Sequence, residues 1–302
     1  KPAMSPELEA KLISSTMKFY FSPPPPPSKQ PKSAQDHQEN IRQIEQNFHE
    51  MIGSILYMDT TTLCFGRIFD ILSPFLVSEK ASQRKNVISA CIALLKRFIE
   101  FKSAEEGETS YEESFAAIGR CVGLFVPRFT DPEPEIRMGA IECLELVFFI
   151  EHMLRTSVGQ ESYNFEPPEE LAESPELRGR IQDADIHEQF LIVHQLSTIA
   201  ARLLPSDELS SFLVHCFDGL TDPHASSSSG TCVMINTTLK MRGEELGNEV
   251  ESLVGGMLKA MEATKVEKTL NGTLHSLRTL AIHHLLPVVE ELLKSPIPHS
   301  QN

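Results

Sequence analysis

The feature that most constrains this chain is an apolar period of three and four residues that continues, almost without a break, from Ile41 to Leu293. Phe65, Ile68, Leu72, Phe75 and Leu76 share one face of a helix, and Val87, Cys91, Leu94, Leu95 and Phe98 share another. The same spacing recurs in Phe115, Ile118, Val122, Phe125 and Phe129, and in Ile136, Ala140, Cys143, Leu144, Val147 and Phe148. Further on it returns in Ile186–Leu203, Leu209–Leu220, Val250–Met261, Val266–Ala281 and Leu285–Leu293. No stretch alternates apolar and polar residues as a strand would. The expected fold class is therefore all-α.

Within this period one short stretch repeats. The segment "FTDPEPEIRMGAIECLELVF", Phe129–Phe148, reads as a helix end, an Asp131-Pro132 turn and a second helix carrying Arg137 near its start. Asp222-Pro223 repeats the turn 91 residues later, close to twice the 40–47 residues of a HEAT or armadillo unit. Ser78-Glu79 with Arg84 holds the matching position upstream, and a proline (Pro74, Pro127) precedes the turn in each of these first two cases. The parts have a chemical logic. Asp131 can cap the following helix through its carboxylate. Pro132 can take an early helical position without losing a hydrogen bond. Arg137 can reach carbonyls or carboxylates along the inter-repeat surface. Neither helix of such a pair can bury its apolar face alone, so neighbours must stack. The expected architecture is a HEAT/armadillo-like α-α superhelix, a right-handed solenoid of about five to six helix pairs. Asp131, Pro132, Arg137, Asp222 and Pro223 are read as structural repeat signatures. Where an arginine would follow Asp222 there are only serines, Ser226–Ser229, so no arginine-mediated inter-repeat bond is expected there.

Two segments depart from the period and divide the chain into four parts. Residues 1–40 contain "SPPPPPSKQPKSAQDHQEN" and are expected to be mostly disordered, with a stiff linker and a docking motif for a proline-recognition domain at Pro23–Pro27 as the alternative readings. Residues 41–158 and 186–298 are expected to hold the repeats of one solenoid. Between them, residues 159–185, with Pro167, Pro168, Pro175 and many glutamates, read as an inserted acidic loop. The first residue is Lys1 rather than Met, which is read as the start of a fragment.

Composition narrows function further. The formal net charge is −15, which argues against an extended nucleic-acid footprint. No apolar run is as long as a membrane span, and no signal-peptide pattern opens the chain. The six cysteines stand singly in helical segments without metal-ligand spacing and read as small hydrophobes in a reducing compartment. His283 and His284 project in different directions from a helix, and His275 is too distant to chelate with either. Gly255-Gly256 lacks the strand and the Lys-Ser/Thr of a phosphate loop, and no GxSxG elbow occurs. Gly119 and Gly123, four residues apart, read as a site of close helix packing. No catalytic, cofactor or metal site is expected.

"FTDPEPEIRMGAIECL" resembles a HEAT repeat in general. "FGRIFDILSPFLVSEKASQRKNVISACIALLKRFIEF", Phe65–Phe101, and "GTLHSLRTLAIHHLLPVVEELLKSPIPHS", Gly272–Ser300, are similar to segments of the maestro heat-like repeat-containing proteins. That resemblance implies a large, cytosolic, non-enzymatic helical scaffold with protein partners, and an organelle surface such as the lysosome as a location. The residues expected to begin successive second helices along one binding edge are Arg84, Lys85 and Asn86, with Arg137 and Met138. A spacer within a longer array is the alternative.

Overall fold

A computed structural model describes residues 4–21, 31–104, 115, 118–156 and 167–294. The proline-recognition segment Pro23–Pro27 lies outside the described residues, as does the first part of the expected acidic loop. Among the described residues there is no strand, and the contacts divide the chain into two units.

The first unit holds α1 (Pro6–Phe21), α2 (Pro31–Met58), α3 (Thr62–Leu72) and α4 (Ala81–Ala104), together with Phe115 and the end of α6. Its core is aliphatic and rich in phenylalanine, as a chain without tryptophan requires. Phe65 lies edge-on to Phe98 and Phe115, with ring centroids 5.6 and 5.1 Å apart. The expected boundary at residue 40 does not occur. Helix α1 buries Ile13, Met17, Tyr20 and Phe21, and α2 runs unbroken through residue 40. Phe21 stacks on Phe75 at 4.0 Å, and Tyr20 stacks on Phe48 at 4.5 Å. The physical reason is amphipathicity: α1 carries a helical apolar stripe long enough to dock, which the neighbouring prolines obscure.

The second unit holds α5 (Ile118–Phe125), α6 (Pro134–Thr156, as far as Phe149), α7 (Ser174–Ile181), α8 (Ile186–Leu203), α9 (Leu209–Gly219), α10 (Ala225–Arg242), α11 (Val250–Ala263), α12 (Glu267–His283) and α13 (Leu285–Lys294). Short 3-10 turns, such as Val126–Thr130, end several of the odd-numbered helices or link them to the next. Helices α5, α9, α11 and α13 follow one another in one row and α8, α10 and α12 in the other. Helix α10 packs between α8 and α12, and α9 packs on both α5 and α11. Counted in sequence order, the described residues hold six helix pairs followed by α13, in line with the expected five to six.

Two expectations in this unit are corrected. The acidic segment is not a loop throughout: α7 forms within it and buries Leu177 and Ile181. The serine run after Asp222 is not part of a turn. Ser226–Ser229 lie in α10, and Ser227, Ser228 and Ser229 are buried. Helix α10 is covered by neighbours on several sides, so it has no single apolar stripe and left no helical period in the sequence.

Helices α5 and α9 meet directly, with α7 displaced onto α8. Gly119 and Gly123 make this possible. A Cβ on Gly123 would lie 2.7 Å from the Phe212 carbonyl oxygen, and one on Gly119 would lie 2.9 Å from the Phe212 nitrogen. The spacing of four therefore marks close packing of two backbones, as the sequence suggested.

Candidate functional site

The turns before α4, α6, α8, α10 and α12 share one local geometry. The Lys80 amide donates to Ser78 Oγ at 3.2 Å, the Glu133 amide to Asp131 Oδ1 at 3.0 Å and the His224 amide to Asp222 Oδ1 at 2.9 Å. Asp185 accepts from the His187 amide at 2.9 Å, and Thr264 Oγ1 from the Val266 amide at 3.4 Å. In every case a short oxygen-bearing side chain accepts from the amide two residues on, which orients an otherwise unpaired donor at the helix entrance. Asp185 and Thr264 escaped the sequence reading because no proline follows them. The signal that would have found them is the oxygen-bearing residue itself at the start of each second helix.

The arginines of these turns are not exposed. Arg84 is 1% exposed, and its Nη1 donates to the carbonyl oxygens of Ser78 and Glu79 at 2.9 and 3.0 Å. Arg137 is 5% exposed and repeats the arrangement, with Nη1 donating to the Asp131 and Pro132 carbonyls at 2.9 and 3.1 Å. Arg84 and Arg137 thus make matching contacts in their two turns. Arg137 also donates from Nε to Ile181 O at 3.1 Å and from Nη2 to Gln182 O at 2.8 Å, which ties the end of α7 to the turn. Burial lowers the pKa of Arg137 from its usual value, against the opposing fields of Asp131, Glu133 and Asp183.

The proposed binding edge is corrected accordingly. Asn86 donates to the Tyr20 carbonyl at 2.9 Å and its own carbonyl accepts from the Tyr20 hydroxyl at 2.7 Å, so it clamps α1. Met138 is half-buried, and of the five residues only Lys85 is exposed. These five residues lie near helix starts, and helix starts in a stack are where one repeat meets the next. Pro132 is also corrected: it precedes the helix, and Pro134 is the first residue of α6. There its missing donor costs nothing. Pro223 likewise precedes α10.

The second Asp-Pro turn has an arginine after all. Arg128, buried in the 3-10 turn before Asp131, donates from Nη1 to Asp131 Oδ2 at 2.7 Å and from Nη2 to Asp222 Oδ2. One guanidinium joins the two turns. Sequence reasoning looked for this cation after Asp222, whereas it comes from the preceding repeat of the pair.

All six cysteines are buried, and burial pushes the Cys64 thiol up to about 12 and the Cys232 thiol up to about 11. His284 Nε2 donates to the Gly243 carbonyl at 2.8 Å. An open groove of about 730 Å³ lies on α8, lined by Glu169, Glu170 and Glu173 on one side and by His194, Gln195, Thr198 and Arg202 on the other.

The family described as "Maestro, HEAT repeats" matches residues 82–302, from α4 to the last residue. The chain belongs to this family. It is 34% identical over 300 residues to "Maestro heat-like repeat-containing protein family member 1" of Dictyostelium discoideum, an alignment covering 99% of this chain and 18% of that protein. The Bos taurus protein of the same name is 29% identical over 309 residues, covering 99% of this chain and 18% of the relative. The Homo sapiens protein is 28% identical over 250 residues, covering 82% and 15%. The chain thus spans less than a fifth of the length of these curated relatives. Membership places its fold class among the all-α, HEAT-type solenoids. Among the described residues, no helix is long and apolar enough to cross a membrane.

Proposed function

We propose that this chain is a non-catalytic HEAT-repeat scaffold, a segment of a larger protein, that holds another protein against its second-helix row. The observation that supports it is the use made of the polar side chains. Arg84, Arg128, Arg137, Asp131, Asp185 and Asp222 are engaged in turns and between repeats, so their chemistry is structural. A stack of helix pairs presents a helical face suited to extended contact. With Arg84, Arg137 and Asn86 engaged internally, the contact surface is sought on the open part of that row, at the groove on α8. The chain's acidic balance favours a basic partner over nucleic acid. The resemblance to the maestro proteins supports a cytosolic setting, including the cytosolic face of an organelle such as the lysosome. A proline-recognition domain at Pro23–Pro27 is a separate proposed contact.

The test is capture from cytosol with the folded chain, against a Glu169→Lys, Glu170→Lys, Glu173→Lys triple variant and a Lys85→Glu variant. Loss of one specific partner with the triple variant, and retention with Lys85→Glu, is the expected result. Retention of every specific partner by both variants removes the proposed surface. The alternative, a spacer in a longer solenoid, is favoured by the burial of Arg84 and Arg137, and it is the reading that stands if the wild-type chain captures nothing.

A further inference from the structure

The last two helices leave a continuous apolar face bare. Ile282 is 74% exposed, Leu285 62%, Leu286 72% and Leu293 77%, and Leu274, Val289 and Leu292 are each more than a third exposed. Only Val288 of the apolar residues on α13 is buried. Burying a leucine-sized side chain removes on the order of 100 Å² from water, so this face amounts to several hundred Å². That matches or exceeds the largest apolar patch of an ordinary monomer.

Its position follows the rows of the second unit. Helices α8, α10 and α12 are consecutive second helices, and α9, α11 and α13 are consecutive first helices. Helix α12 meets α10 through Thr269, Gly272 and Ser276. At 100° per residue, Leu274 and Ile282 lie on the opposite side of α12 from those three. Helix α13 packs on α11 and α12, and among the described residues no second helix accompanies it. The bare side of α12 and the bare side of α13 are the two walls that each earlier second helix in this row is built against.

We propose that this face is an inter-repeat interface covered by one further amphipathic helix of the same polypeptide, antiparallel to α13 and following α12 in the second-helix row. Two observations select that occupant. The exposed apolar residues of α13, at 285, 286, 289, 292 and 293, keep the three-four spacing of a core-facing helix. A terminal repeat needs a polar outer face to stay soluble, and this one is apolar. More than four-fifths of the Dictyostelium discoideum protein lies outside the part aligned with this chain, so further repeats are compatible with its length. A second copy of the chain fits less well. Both copies would carry a formal charge of −15. The consequence for function is that this apolar patch belongs to the array and is not the place where a partner protein docks.

The test compares the 302-residue chain with the natural-length polypeptide that contains it. The probe is a maleimide on a Leu286→Cys variant, against a background of buried native cysteines. Rapid labelling in the 302-residue chain, with labelling slowed by about tenfold or more in the natural-length polypeptide, is expected. Ile282→Glu combined with Leu286→Glu should leave the melting midpoint of the short chain unchanged and lower that of the natural-length polypeptide. Several results overturn the proposal: equal labelling in both, protection of the short chain only at concentrations where it dimerises, protection conferred only by a separate co-purifying polypeptide, or a natural polypeptide that ends at Asn302.

Discussion

Arg128 and Asp222 form a buried ion pair across 94 residues of sequence, and the same guanidinium holds Asp131 at 2.7 Å. Arg128 is 0% exposed, and the two carboxylates are 0% and 5% exposed. A buried cation facing two buried carboxylates is costly to dismantle from one side, because the remaining charges lose their counter-charge without regaining water. Arg128→Ala should cost about 3–5 kcal/mol in urea unfolding. Arg128→Lys should recover little of that, since an ammonium cannot bridge two carboxylates as a planar fork does. In a double-mutant cycle, Arg128→Ala and Asp222→Ala should be strongly non-additive. Additive losses would mean that the pair is not coupled.

The turn side chains predict a graded series. Asp185 accepts from the amides of His187 and Glu188, each at 2.9 Å, and has no arginine among these bonds. Asp185→Ala should therefore cost about 1 kcal/mol, the usual loss for a cap. Asp131→Ala removes the same kind of cap and also one partner of Arg128, so its loss should be clearly larger. Equal melting midpoints for the two variants would separate Asp131 from the ion-pair network.

The α5–α9 contact tolerates no side chain. Gly123→Ala would drive a Cβ against the Phe212 carbonyl at 2.7 Å, where the obstacle is backbone and cannot rotate away. A loss of at least 1–3 kcal/mol is expected, the usual range for overpacking. Gly255→Ala, a helical glycine with nothing near its missing Cβ, serves as the control and should be neutral or stabilising.

What could be read from the sequence, and what could not, follows from how each element is buried. Helices with one buried face, such as α4 and α12, announce themselves by spacing. Helix α10 does not: its buried residues include Ser227, Ser228, Gly230 and Thr231, small residues that let neighbours approach closely. Ser228 Oγ bonds with Thr269 Oγ1 at 2.8 Å and Thr231 Oγ1 donates to the Ser227 carbonyl at 2.9 Å, so polarity there is no sign of exposure. Arg84 and Arg137 were legible as repeat positions and misread as surface, because spacing gives the register of a residue but not whether the next repeat covers it. Arg128 lies outside both helices of the motif, in the 3-10 turn, and its partner Asp222 is too distant in sequence for any local pattern to join them.

Arg137 predicts a local effect that a purely global stabiliser would not give. Its Nε and Nη2 hold the Ile181 and Gln182 carbonyls, the last turn of α7. Arg137→Ala should lower stability by roughly 2–3 kcal/mol, given the strength of hydrogen bonds from a charged donor. It should also speed amide exchange in α7 more than in α9 or α11. Uniform acceleration across all three helices would show that Arg137 supports the stack as a whole and does not tether α7.

A pH dependence follows from Glu145. It lies beside Arg178, 3.3 Å from the Arg178 Nη1, and Glu142 lies 3.4 Å from the same nitrogen. Burial raises the Glu145 pKa above its ordinary 4.5, and this outweighs the opposing field of Arg178. A carboxyl with a raised folded pKa holds its proton more tightly folded than unfolded. Between 4.5 and the raised value, the folded chain binds more protons, so the contribution of Glu145 to stability falls as pH rises through that window. Above it the charged form carries its full desolvation penalty. Glu145→Gln removes the titration, so its stability relative to wild type should increase as pH rises through the window and then level off. Arg178 keeps Glu142 as its partner in that variant. Urea unfolding of both proteins from pH 4.5 to 7.5 reads the difference directly. A difference that stays constant, or that favours wild type more as pH rises, would mean that the field of Arg178 outweighs burial at this carboxylate.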